Sequence, residues 1–119
     1  MMHQRLSRHD HVRLIAEPYI FESGIELQKF VLDTFVQFQV KAEQDPRIGP
    51  VHISIYSALI ILLVIQKQNP IRLFAREVMI RAKILGVATY HKTIRQLDQF
   101  GYIQYLPSCY HVTPSRVYL

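Results

Sequence analysis

The thirteen residues from Ile53 to Ile65, ISIYSALIILLVI, carry no charge, and they constrain the chain more than any other stretch. A helix needs ~20 apolar residues to cross a bilayer. The run is too short for that and must find its apolar partners inside the protein. Gly49-Pro50 precedes it and Asn69-Pro70 follows, and proline disfavours helix in the residue before it. It therefore reads as one helix, His52 to Gln68, apolar nearly all round and central to the core. A chain of 119 residues, 50% hydrophobic and 19% charged, has material for one such core. It does not have material for two, which excludes a large multi-domain enzyme.

Pro18, Gly24, Asp45-Pro46, Gly49-Pro50 and Asn69-Pro70 cut the chain into pieces of opposite charge. Tyr19 to Pro46 sets Lys29 and Lys41 against Glu22, Glu26, Asp33, Glu43 and Asp45, a net −3. Lys67 to Leu97 sets Lys67, Arg72, Arg76, Arg81, Lys83, Lys92 and Arg95 against Glu77 alone, a net +6. The whole chain carries +5, so the basic excess is local and a polyanion site belongs between Lys67 and Leu97.

Apolar periodicity supplies the other elements. Leu27, Val31, Phe35, Phe38 and Ala42 make a helical stripe over Ile25 to Glu43, widened by Phe30, Val36 and Val40. Ile71 and Leu73 flank Arg72 as a short strand. Phe74, Val78 and Ala82 share a face of a helix ending near Lys83. From Val87 to Phe100, Tyr90, Ile94 and Leu97 recur on one face, and Gly101 follows as a left-handed terminator. Tyr102 to Leu106 and Arg116 to Leu119 are strand formers separated by the Pro107 to Pro114 loop, a β-hairpin. The expected class is mainly α with a small β-hairpin (α+β). Residues 1–48 form a basic leader and amphipathic helix, and 49–119 form the domain proper.

The order helix, strand, helix, turn, helix ending in glycine, hairpin describes a winged helix-turn-helix. Arg76 to Leu106, REVMIRAKILGVATYHKTIRQLDQFGYIQYL, resembles the core of bacterial winged-helix regulators and replisome-organiser domains, with the characteristic ending at LDQFGYI, Leu97 to Ile103. The run from ATYHK to VYL is also similar to small winged-helix proteins of Bacteroides-type chromosomes and mobile elements. The resemblance covers about His52 to Leu119. It implies double-stranded DNA as partner and a transcriptional regulator as function, with a replication or mobile-element accessory factor, or a winged-helix protein-interaction module, as alternatives. Relatives commonly cap the recognition helix with Ser or Thr, where this chain has Gly86. The Lys83-Ile84-Leu85-Gly86 turn is a residue longer than in many regulators, and the hairpin tip offers only His111 as a basic group.

A helix fits the major groove and aims its first turns at base edges, while its N-terminal amides favour phosphate. Burying Tyr90, Ile94 and Leu97 leaves Val87, Ala88, Thr89, His91, Lys92, Arg95 and Gln96 as the expected readers. Lys92 and Arg95 are assigned mainly to phosphate. Arg72, Arg76 and Lys83 flank the groove, and Arg116 reaches the neighbouring backbone from the hairpin.

No enzyme is expected. The four glycines Gly24, Gly49, Gly86 and Gly101 form no phosphate-cradling loop. Cys109 beside Tyr110 and His111 lacks an orienting acid. His9-Asp10-His11 has no second cluster at ligand spacing, so neither metal nor other cofactor is expected. The single cysteine and the absence of a leading apolar run point to a reducing, cytoplasmic setting with no membrane partner. For the acidic helix 25–43 two accounts stand. It pairs two copies as a homodimer, setting recognition helices one DNA turn (~34 Å) apart, or it packs on its own domain, with Phe30, Phe35 and Phe38 otherwise left as an exposed patch.

Overall fold

The computed structural model describes residues 18–110 and 112–119. The basic leader with His9, Asp10 and His11, and His111 at the hairpin tip, lie outside them. In chain order the elements are β1 (Tyr19–Ile20), α1 (Gly24–Glu43), α2 (Pro50–Gln66), β2 (Gln68–Asn69), β3 (Ile71–Leu73), α3 (Ala75–Ala82), α4 (Val87–Gln99), β4 (Gln104–Leu106) and β5 (Ser115–Tyr118).

The apolar run forms α2, and its Ile55, Leu59, Leu62 and Leu63 are at most 1% exposed. Pro50 opens the helix at its first turn, where a missing N–H costs nothing. The helix stops at Gln66 rather than Gln68. Lys67 turns left-handed (φ 58°), donating to Leu63 O at 2.8 Å, and Gln68 and Asn69 pair with Ile20 and Tyr19. Nor is α2 covered all round, because Ile53, Ile61, Val64 and Ile65 remain exposed.

Ser23 caps α1, its Oγ accepting from Glu26 N–H at 3.0 Å. The phenylalanines turn inward, as the account of packing on its own domain requires. Phe38 lies parallel to Tyr56 with centroids 3.8 Å apart, Phe35 stacks on the same pair, and Phe30 meets Phe21. The apolar side chains that α1 leaves outside are Ile25, Leu32, Val36 and Val40.

The second sheet runs β3-β5-β4, antiparallel throughout, with Ile71 and Tyr105 both opposite Val117. Those three side chains face the core, together with Leu73. The hairpin is shorter than expected. Tyr102 and Ile103 donate back to Leu97 O around Gly101 (φ 91°) and so terminate α4 before β4 begins. Val78 and Ala82 of α3 and Tyr90, Ile94 and Leu97 of α4 complete a single core cluster, which also takes in Leu27 and Phe38 of α1. The 48/49 division falls in the α1–α2 turn, and core side chains lie on both sides of it. The described chain is therefore α+β, four helices with two small antiparallel sheets.

Candidate nucleic-acid interface

α4 presents two faces of different character. Tyr90, Thr93, Ile94 and Leu97 are at most 4% exposed. On the opposite side Ala88, Lys92, Arg95 and Gln99 recur at i, i+4, i+7 and i+11 and are all exposed, as are Val87 and Thr89 at the N-terminal end. Gln99 extends this stripe beyond the expected readers. The helix begins at Gly86 without a side-chain cap, so its first amides keep their capacity for an external acceptor. Gly86 has ordinary extended geometry (φ −89°), and a side chain there would meet only Thr89, the nearer atom being Oγ1 at 3.4 Å.

Two expected readers lie elsewhere. His91 is half-buried with its ring edge against Tyr90. Gln96 is half-buried on the inner flank, its Oε1 2.8 Å from His52 Nε2. His52 Nδ1 accepts from Gly49 N–H at 3.0 Å, which makes Nε2 the protonated nitrogen and the donor to Gln96. This chain of bonds ties the start of α2 to the last turns of α4 and holds the helix in its orientation. The same end of α4 is held a second time. Asp45 accepts from Tyr102 Oη at 2.9 Å and pairs with Arg47, whose guanidinium lies 4.1 Å over the Phe100 ring. The hydrogen bonds from Arg47 hold the Asp45 carboxyl well below the usual carboxylate range.

Four of the arginines gather around β3. Arg72 sits directly opposite Arg116. Both main-chain groups of Arg72 are turned away from β5 and bonded to the Gln66 side chain, at 2.8 and 2.6 Å. Arg72 and Arg116 are thus a non-hydrogen-bonded cross-strand pair, the kind whose side chains approach most closely, and like charges there repel. An anion between them relieves that repulsion. Arg72 also lines an open groove of about 930 Å³ with Arg76, Arg81, Phe74, Ile80 and Pro114, and Glu77 is the one acid in it. Arg81 is part of the basic segment, but its place in the groove depends on the fold of β3 against the hairpin and has no local signature in the sequence. Lys83 stands at the left-handed end of α3 (φ 62°), exposed between the two helices. None of Arg72, Arg76, Arg81, Lys83, Lys92, Arg95 or Arg116 has an acidic partner within ion-pair distance among the described residues.

Among the described residues no helix is long and apolar enough to cross a membrane, and no group of three or more His, Cys, Asp or Glu side chains is placed to hold a metal ion. Cys109 is exposed and unpaired. The chain matches no protein-family model, no curated protein and no solved structure.

Proposed function

We propose that this chain is a winged helix-turn-helix protein that binds double-stranded DNA by inserting α4 in the major groove, and that it acts as a transcriptional regulator. The observation that carries the reading is the order of β3, β5 and β4. A strand before the two-helix unit pairs with the second strand of a hairpin after it, leaving α4 with one buried face and one face of Ala88, Lys92, Arg95 and Gln99. A helix so presented fits the width of the major groove. Thr89 and Ala88 suit base edges, Lys92 and Arg95 suit phosphate, and the uncapped N-terminus suits a phosphate oxygen. Arg72 and Arg116, side by side on the sheet, reach the neighbouring backbone.

The test is fluorescence anisotropy with a labelled duplex over a range of salt concentrations. Replacing Lys92 and Arg95 together by alanine should weaken binding at every sequence and lower the slope of log K against log salt by about one for each phosphate no longer neutralised. Unchanged affinity at all salt concentrations refutes the assignment of α4. A second reading, a winged-helix module that binds protein, draws on the exposed Phe74 and Ile80 beside the groove arginines, which suit an acidic amphipathic segment. Failure of the unaltered chain to bind any duplex even at low salt favours it.

A further inference from the structure

The outward face of α1 is unaccounted for by either its packing or the proposed DNA contact. Leu32, Val36 and Val40 are between 49% and 62% exposed, and Ile25 is 79% exposed. At 100° per residue these four, with Lys29 and Glu43, fall within about 80° of one another on the helix. They form a stripe turned away from the buried Leu27 and Phe38. Lys29 and Glu43 are exposed and carry no ion pair among the described residues.

We infer that this stripe is the contact face of a two-fold homodimer in which α1 packs antiparallel against α1 of a second copy, with the axis passing beside Val36. The stripe is complementary to itself in that arrangement. Val36 meets Val36, Leu32 meets Val40, and Lys29 meets Glu43, each contact occurring twice as two-fold symmetry requires. Asp33 falls opposite the uncharged Gln39, so no like charges are opposed in this register. A parallel pairing sets Lys29 against Lys29 and Glu43 against Glu43. Charge therefore selects the antiparallel partner and the register, while Leu32, Val36 and Val40 supply the attraction. The contact is small beside the ~800 Å² per partner of stable complexes, so the dimer is expected to be weak and to dissociate on dilution. The inference stands apart from the DNA reading, since neither the stripe nor its register involves α4.

Sedimentation of the full chain without DNA tests it. Concentration-dependent dimerisation is expected, whereas monomer at every concentration up to about 300 µM, high enough to populate even a weak micromolar association, overturns the proposal. Val36→Asp sets two carboxylates against each other on the axis and should abolish dimerisation at all accessible concentrations with the thermal melt unchanged, because residue 36 is half-exposed in the single chain. Dimerisation unaffected by V36D overturns the face. Lys29→Glu and Glu43→Lys should each weaken the dimer about tenfold by opposing like charges. Mixed together, the two variants should recover wild-type affinity, because both contacts between them are then of opposite sign. Failure of the mixture to recover overturns the antiparallel register.

Discussion

Replacing Phe38 by alanine should cost the fold about 3–5 kcal/mol, the range for emptying a buried phenylalanine site. Three features of the site place the loss at the upper end. The ring is 3% exposed, so its transfer from water is nearly complete. It lies parallel to Tyr56 at 3.8 Å and takes the Tyr102 ring edge-on at 5.3 Å, and each such pair adds about 0.5–1.5 kcal/mol beyond area. Its neighbours belong to α2 and to the turn after α4, so no single element can shift to fill the hole without disturbing another. For 119 residues the unfolding entropy is roughly 0.25 kcal/mol per degree, so a 4 kcal/mol loss lowers Tm by about 16 °C. Urea denaturation followed by circular dichroism measures the free energy, and Phe38→Leu, which keeps most of the volume, should cost less than ~1.5 kcal/mol. The reasoning fails if Phe38→Ala costs under ~1 kcal/mol, far below the large-to-small range. In that event α1 is a detachable arm and its aromatic stack with Tyr56 contributes little to the domain.

Tyr90→Phe should leave stability unchanged or raise it by about 1 kcal/mol, because the Tyr90 hydroxyl is buried without a hydrogen-bond partner, and thermal melting checks the sign. Gly101→Ala should cost about 1–2 kcal/mol from backbone strain alone, since φ there is 91° and a Cβ would meet nothing nearer than Lys41 Nζ at 3.9 Å; a larger loss in urea denaturation points to a clash. Burial pushes Tyr56 and Tyr90 well above their ordinary value near 10, and burial with the Asp45 hydrogen bond pushes Tyr102 up to about 12. These raised values mean that the neutral phenols' contribution is complete below pH 10 and is lost as pH rises toward the folded-state values, so alkaline melts should fall steeply while absorbance at ~295 nm shows late ionisation. Asp45 has the opposite sign. Its depressed value means that its contribution is intact above the ordinary carboxylate range near 3.8 and is lost only as pH falls further, and Asp45→Asn should remove that acid limb.

α1, α3 and α4 are legible in the sequence because each presents an apolar face at helical spacing, α2 because its uncharged run lies between prolines, and Gly101 and Pro50 mark boundaries that glycine freedom and proline's missing N–H explain. The pairing of Tyr19–Ile20 with Gln68–Asn69 is not legible. Two-residue strands joined across about fifty residues leave no alternation to detect, and the left-handed Lys67 that frees Gln68 from α2 has no local marker. Of α4's outward stripe, Lys92 and Arg95 follow from the positions of Tyr90, Ile94 and Leu97. The inward turn of Gln96 does not, because its neighbour His52 is supplied by another helix. The same nonlocality hides the place of Arg81 in the groove and leaves the packing of α1 open between two accounts. Periodicity identifies a wide apolar surface there, but aromatic stacking with Tyr56 decides which part of it faces inward.

Gln66 has a consequence that reaches beyond the single chain. β3 is an edge of the three-stranded sheet, and the one residue there whose main-chain N–H and C=O both face outward is Arg72. An open edge of this kind is a template on which the strands of neighbouring molecules can polymerise. The Gln66 carboxamide occupies both groups, imitating with one side chain the strand that would otherwise add on, and the exposed Arg72 guanidinium repels a second copy's identical edge. One glutamine at the end of a hydrophobic helix thus leaves the Arg72 main chain no free group at that edge on which a neighbouring strand could add.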